Sequence, residues 1–79
     1  MSPTVFRYKK YRFFFFSREE IRMHIHVYSS DGEAKFWVEP ELTLDKSYGF
    51  TKKEINILQN IIEERLDEIK KAWKKHFER

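Results

Sequence analysis

His24 and His26 stand two apart in the segment His24-Ile25-His26-Val27-Tyr28. On an extended strand both imidazoles leave the same face, about 6.5–7 Å apart along the chain. An imidazole with an ordinary pKa near 6.5 is the natural acid and base at neutral pH, so the pair is the chain's candidate for catalysis. Lys35 or Arg12 nearby would stabilise a phosphate, which makes a small ribonuclease-type reaction the chemistry to test. The spacing also suits two ligands of one metal ion. Zinc wants three or four. Glu39 is the candidate third, with Glu33 further off, and no metal site is assigned on so few ligands. The same histidines have a plainer use, packed beside Trp37 and Tyr28 as cross-strand pairs of a sheet. The residues alone leave open whether the chain is an enzyme.

These side chains need a hairpin to bring them together. Glu33-Ala34-Lys35-Phe36-Trp37-Val38 alternates as the histidine segment does, and Asp31-Gly32 between them is a strong two-residue turn signal. With Asp31-Gly32 as the turn, Tyr28 opposes Lys35, His26 opposes Trp37 and His24 opposes Glu39. Ile25, Val27, Ala34, Phe36 and Val38 then share one face. A slip of one residue would mix the faces, so the pattern supports this register. The other face carries His24, His26, Tyr28, Lys35, Trp37 and Glu39, a binding surface first and an active site second. Tyr and Trp on a face away from the core are favoured interface anchors.

Thr4 to Tyr8 and Tyr11 to Ser17 are rich in β-branched and aromatic residues and predict an earlier hairpin about Lys9-Lys10. Phe13-Phe14-Phe15-Phe16 does not alternate, so both faces of that strand need cover, as in a central strand or a dimer interface. Arg18 to Arg22 is charged and reads as a loop. Arg7, Lys9, Lys10 and Arg12 interleave with Phe6, Tyr8 and Tyr11, a pattern compatible with RNA and equally with a solvated hairpin.

Pro40 ends the strands, and 41–49 reads as a connection with Leu42 and Leu44 packed beneath. Thr51 and Glu54 form a capping-box signature, with Phe50 and Ile55 at the staple positions. Apolar residues then recur at Ile55, Leu58, Ile62, Leu66, Ile69, Trp73 and Phe77, widened by Ile57 and Ile61. Lys70, Lys71, Lys74 and Lys75 suit the negative end of the helix dipole. One helix over 52–77 would run roughly 38 Å, longer than a small sheet is wide, so its last turns would overhang the sheet or touch a second chain. The expected fold is α+β: one domain over 1–79, with an antiparallel sheet of about four strands (4–39) in two consecutive hairpins. A connection (40–50) leads to a single long C-terminal helix that covers one face.

Composition bounds the rest. A chain of 79 residues buries a small core, and oligomerisation is one common remedy. The absence of cysteine excludes disulfides and thiolate metal sites and fits the cytoplasm. Only Gly32 and Gly49 are glycine, so no phosphate-cradling loop exists and no cofactor is expected. No apolar run approaches a membrane span. The net charge of +3 favours an acidic partner without requiring nucleic acid.

At His24-Ile25-His26-Val27, Gly32-Glu33-Ala34-Lys35-Phe36-Trp37 and Tyr48-Gly49-Phe50-Thr51 the chain resembles the bacterial and archaeal domain-of-unknown-function family 4160. Pro3-Thr4-Val5, Tyr11-Arg12-Phe13-Phe14-Phe15 and Ala72-Trp73-Lys74-Lys75-His76-Phe77 fit the same pattern. Arg22-Met23 stands where members usually carry a proline pair. The resemblance implies a small protein encoded beside a second small one, in a pair that looks like a toxin–antitoxin module. It implies no catalytic residues. The expected role is therefore an interaction component of such a module, binding the product of the neighbouring gene. A homodimer and RNA are further candidate partners. A ribonuclease-type toxin and a metal-binding domain are the alternative roles.

Overall fold

The computed structural model describes residues 4–16 and 22–77. The end of the second expected strand at Ser17 and the charged loop from Arg18 lie outside the described residues, apart from Arg22. Five strands follow one another, β1 (Thr4–Tyr8), β2 (Tyr11–Phe14), β3 (His24–Ser29), β4 (Gly32–Trp37) and β5 (Thr43–Tyr48), and two helices close the chain, α1 (Lys52–Glu64) and α2 (Leu66–Phe77). The sheet is an antiparallel meander in the order β1-β2-β3-β4-β5. The α+β class and the two hairpins are as expected. The strand count and the single helix are not.

The fifth strand occupies what reads as a connection. Its sequence, Thr43-Leu44-Asp45-Lys46-Ser47-Tyr48, has one large aliphatic residue, and five of its six side chains are exposed. An edge strand has one neighbour and needs little apolar signal, so periodicity does not reveal it. Leu44 pairs with Phe36, and it packs with Leu42 against the core as expected.

The helix breaks at Arg65, where φ is −115° and ψ 23°. Its N–H donates to the carbonyls of both Ile61 and Ile62, and its own carbonyl accepts from Ile69 N. The apolar stripe runs on through the break, which is why the sequence reads as one helix. The guanidinium of Arg65 lies 4.3 Å from the Phe6 ring centre. Beyond the bend α2 brings Trp73 to 5.2 Å from the ring of Phe15 and 5.2 Å from that of His24. The last turns therefore cover the end of the sheet and do not overhang it.

The core lies between the helices and one face of the sheet. Ile25, Val27, Ala34, Phe36 and Val38 are buried there with Ile55, Leu58, Ile61, Ile62 and Ile69. Leu66 is only partly buried, and Ile57 is exposed. β2 lies between β1 and β3, so its phenylalanines find cover on both sides. Phe13 stacks on Phe6 on the helix side at 4.4 Å, Phe14 takes the opposite face, and Phe15 turns toward Trp73 and Phe77. Phe16 departs from the expected full cover and is 43% exposed.

The hairpin holding the histidines turns at Ser30-Asp31 and not at Asp31-Gly32. Ser29 pairs with Gly32, Tyr28 with Glu33, His26 with Lys35 and His24 with Trp37. The Ser29 hydroxyl accepts the Asp31 N–H at 3.1 Å, which closes the turn locally. Among the described non-glycine residues only Lys9 has a positive φ, 53°, so the Ser30-Asp31 turn has no need of glycine. Gly32 serves packing instead. A Cβ there would run into the Tyr48 carbonyl and lie 2.9 Å from Phe50 N. The register is shifted by two residues, an even step, so every side chain keeps its expected face.

The capping box is present as expected. Glu54 N donates to the Thr51 hydroxyl at 3.1 Å, and Thr51 N donates to Glu54 Oε1 at 3.0 Å. Tyr11 OH donates to Glu54 Oε2 at 2.9 Å, and Lys10 pairs with Asp31 and approaches Glu54 at 3.8 Å. Both hairpin turns are thus tied to the start of α1. The Thr51 N–H and then the Tyr11 hydroxyl hold the Glu54 carboxyl below its usual range. Burial, then the bond to Glu54, raises Tyr11, and the bond to Asp31 raises Lys10.

Candidate interaction surface

The helices pack on one side of the sheet, and antiparallel pairing arranges the side chains of the other face in rows. Arg7, Arg12, Tyr28, Glu33 and Tyr48 are successive cross-strand partners from β1 to β5. Thr4, Phe14, His26, Lys35 and Lys46 form the next row. His24, Trp37 and Thr43 form a third. The sequence-predicted surface is therefore assembled on one face, except for Glu39, which lies beyond the end of β4.

The two histidines have different surroundings. His24 is fully buried, and its Nδ1 donates to the Arg22 carbonyl at 2.7 Å. A carbonyl can only accept, so the proton sits on Nδ1. His24 is wedged against Trp37 and Trp73, with ring centres at 5.6 and 5.2 Å. His26 is half-buried and packs on Phe14 at 5.5 Å and Phe16 at 4.4 Å. The imidazole rings are close, 5.1 Å between centres. Glu39 does not stand opposite His24, because the shifted register puts Trp37 there. Glu39 is exposed, and its carbonyl accepts from Arg22 Nε at 2.7 Å. Among the described residues no group of three or more His, Asp or Glu side chains is arranged to hold a metal ion.

The cations of this face lean on its rings. Arg12 lies 4.5 Å from the centre of Phe14 and donates through Nε to the Thr4 hydroxyl at 2.7 Å. Trp37 is approached by Arg22 at 4.1 Å and by Lys35 at 4.3 Å. Lys35 is buried, 3.7 Å from Asp45. Such stacking fixes the guanidinium and ammonium groups while shielding apolar surface. Tyr28 and Tyr48 remain open, 52% and 79% exposed. A shallow depression of about 360 Å³ lies between Phe16, His26, Lys35, Lys46 and Tyr48.

Tyr48, Lys46 and Arg7 belong to this face and were not among its predicted residues. The first two are hidden by the weak apolar signal of β5. Arg7 is hidden by a bulge: β1 shifts register between Thr4 and Phe6, and simple alternation does not carry across it. Lys35 pairs with Lys46 beside a second bulge, so both edge strands are irregular.

The family profile described as "Domain of unknown function (DUF4160)" matches residues 11–74. No match was found among curated proteins or among solved structures.

Proposed function

This chain belongs to the DUF4160 family, whose description assigns no activity, and from its open sheet face we propose that it is an interaction component of a two-protein, toxin–antitoxin-like module. Its partner is the small protein encoded by the neighbouring gene, and the setting is the cytoplasm. The observation that carries this reading is the exposure of Tyr28, Tyr48 and Phe16 on the sheet face away from the described helices, which reach it only where Trp73 meets His24. Tyrosine and arginine are enriched among the residues that carry binding energy at protein interfaces, and both line the row of this face nearest the β3–β4 turn. Bulges at both edges blunt strand addition, which favours docking on the face.

The ribonuclease reading is second. It keeps one exposed-side histidine, His26, since His24 is buried and bonded to backbone. Co-expression with the neighbouring gene product followed by size exclusion tests the leading role. A single complex is expected, and separate elution overturns it.

A further inference from the structure

The open face complements itself. Resting on the reading of that face as an interaction surface, we propose that it closes on a second copy of this chain about a two-fold axis parallel to β3, the middle strand of the five. Such an axis lays β1 over the other copy's β5, β2 over its β4 and β3 over β3. The row Arg7, Arg12, Tyr28, Glu33, Tyr48 then meets itself reversed. Arg12 faces the other copy's Glu33, and Glu33 faces the other copy's Arg12. Tyr28 meets Tyr28 on the axis, and Arg7 meets the exposed ring of Tyr48. In the adjacent row Lys46 falls over Thr4 and His26 meets its own copy, while Lys35 and Phe14 are already buried within each chain. Within these two rows no Arg or Lys is placed against another. The alternative in-plane axis, across the strands and along this row, would lay β1 on β1 and set Arg7 and Arg12 against their own copies.

The geometry tolerates the twist of real sheets. Facing sheets pack about 10 Å apart with strands about 30° from parallel. One strand from the axis that rotation displaces a pair by only about 2 Å, within reach of Arg and Glu side chains. Five strands of four to six residues span roughly 24 by 20 Å, so two copies cover at most on the order of 1,000 Å², the lower bound for a specific interface. The contact would cover the exposed tyrosines and add burial to a small domain. The neighbouring protein would then have to displace the second copy to reach the face.

Charge reversal tests this directly. Sedimentation equilibrium of the full chain, from micromolar to several hundred micromolar, should show reversible growth from 9.8 kDa to twice that mass. Arg12→Glu alone sets a second carboxylate against Glu33, and Glu33→Arg alone sets one guanidinium against another. Each should weaken the dimer roughly tenfold or more. An equimolar mixture of the two variants restores both attractive pairs and should dimerise as the wild type does. Tyr28→Glu is a second variant for use if either reversal unfolds by circular dichroism. It puts two carboxylates on the axis at a residue 52% exposed, and should be monomeric. A monomeric wild type overturns the proposal, as does a mixture that stays monomeric or a dimeric Tyr28→Glu. A wild-type monomer that co-elutes with the neighbouring gene product overturns the dimer and leaves the proposed function standing. A wild-type monomer that binds a ten-nucleotide oligouridylate but no protein overturns both. A dimer with the charge-swap pattern and no co-elution upholds the self-pairing and overturns the proposed function.

Discussion

Single residues fix the join between sheet and helix. Glu54 accepts from Thr51 N and from Tyr11 OH, and these bonds hold its carboxyl below the ordinary value of 4.5. A carboxyl with a lowered folded pKa stabilises the fold above its unfolded pKa, and that contribution is lost as pH falls through the folded pKa. Glu54→Gln should therefore flatten the acid side of stability against pH, below about 4.5. Urea midpoints of both proteins measured between pH 2 and 6 give the comparison; parallel curves would remove Glu54 from this role. Gly32 is constrained differently. A side chain there meets backbone of Tyr48 and Phe50, which cannot rotate away. Gly32→Ala should cost about 1–3 kcal/mol in the same unfolding measurement, as overpacking does. The dipeptide Asp31-Gly32 looks like a turn in sequence because nothing local distinguishes a glycine needed for φ from one needed for close approach.

At the scale of elements, the helix stripe has unequal positions. Ile69 is fully buried after the break at Arg65, whereas Leu66, beside the break, is only partly covered. Ile69→Ala should cost about 2–5 kcal/mol and Leu66→Ala clearly less. Equal losses in thermal or urea unfolding would mean that the bend does not turn Leu66 aside. The faces of the central hairpin were legible because strand periodicity is two, and a register shift of two leaves Ile25, Val27, Ala34 and Phe36 inside. The pairings themselves were not, since they depend on which residues turn. β5 is hidden in the sequence because an edge strand with Leu44 as its one aliphatic residue leaves little apolar pattern, and the helix break because the stripe passes through Arg65 uninterrupted.

Over the whole molecule, the helices pack on one face of the sheet, and the other buries Phe14 and His24 but presents Tyr28, Tyr48 and Phe16 among cations that rest on Phe14 and Trp37. Among the described residues no helix is long and apolar enough to cross a membrane, so these rings are not explained by a helical span. His24, legible in sequence as a chemical residue, is used in packing, and the open face depends on residues that only the five-strand order brings together. The central claim is that this face docks a protein partner. Calorimetric titration of the neighbouring gene product against the wild type and against Tyr28→Glu tests it most directly. The account predicts saturable binding by the wild type and a loss of affinity of tenfold or more in the variant, whose substituted side chain is exposed and leaves the fold intact. Equal affinity for the two proteins would contradict it.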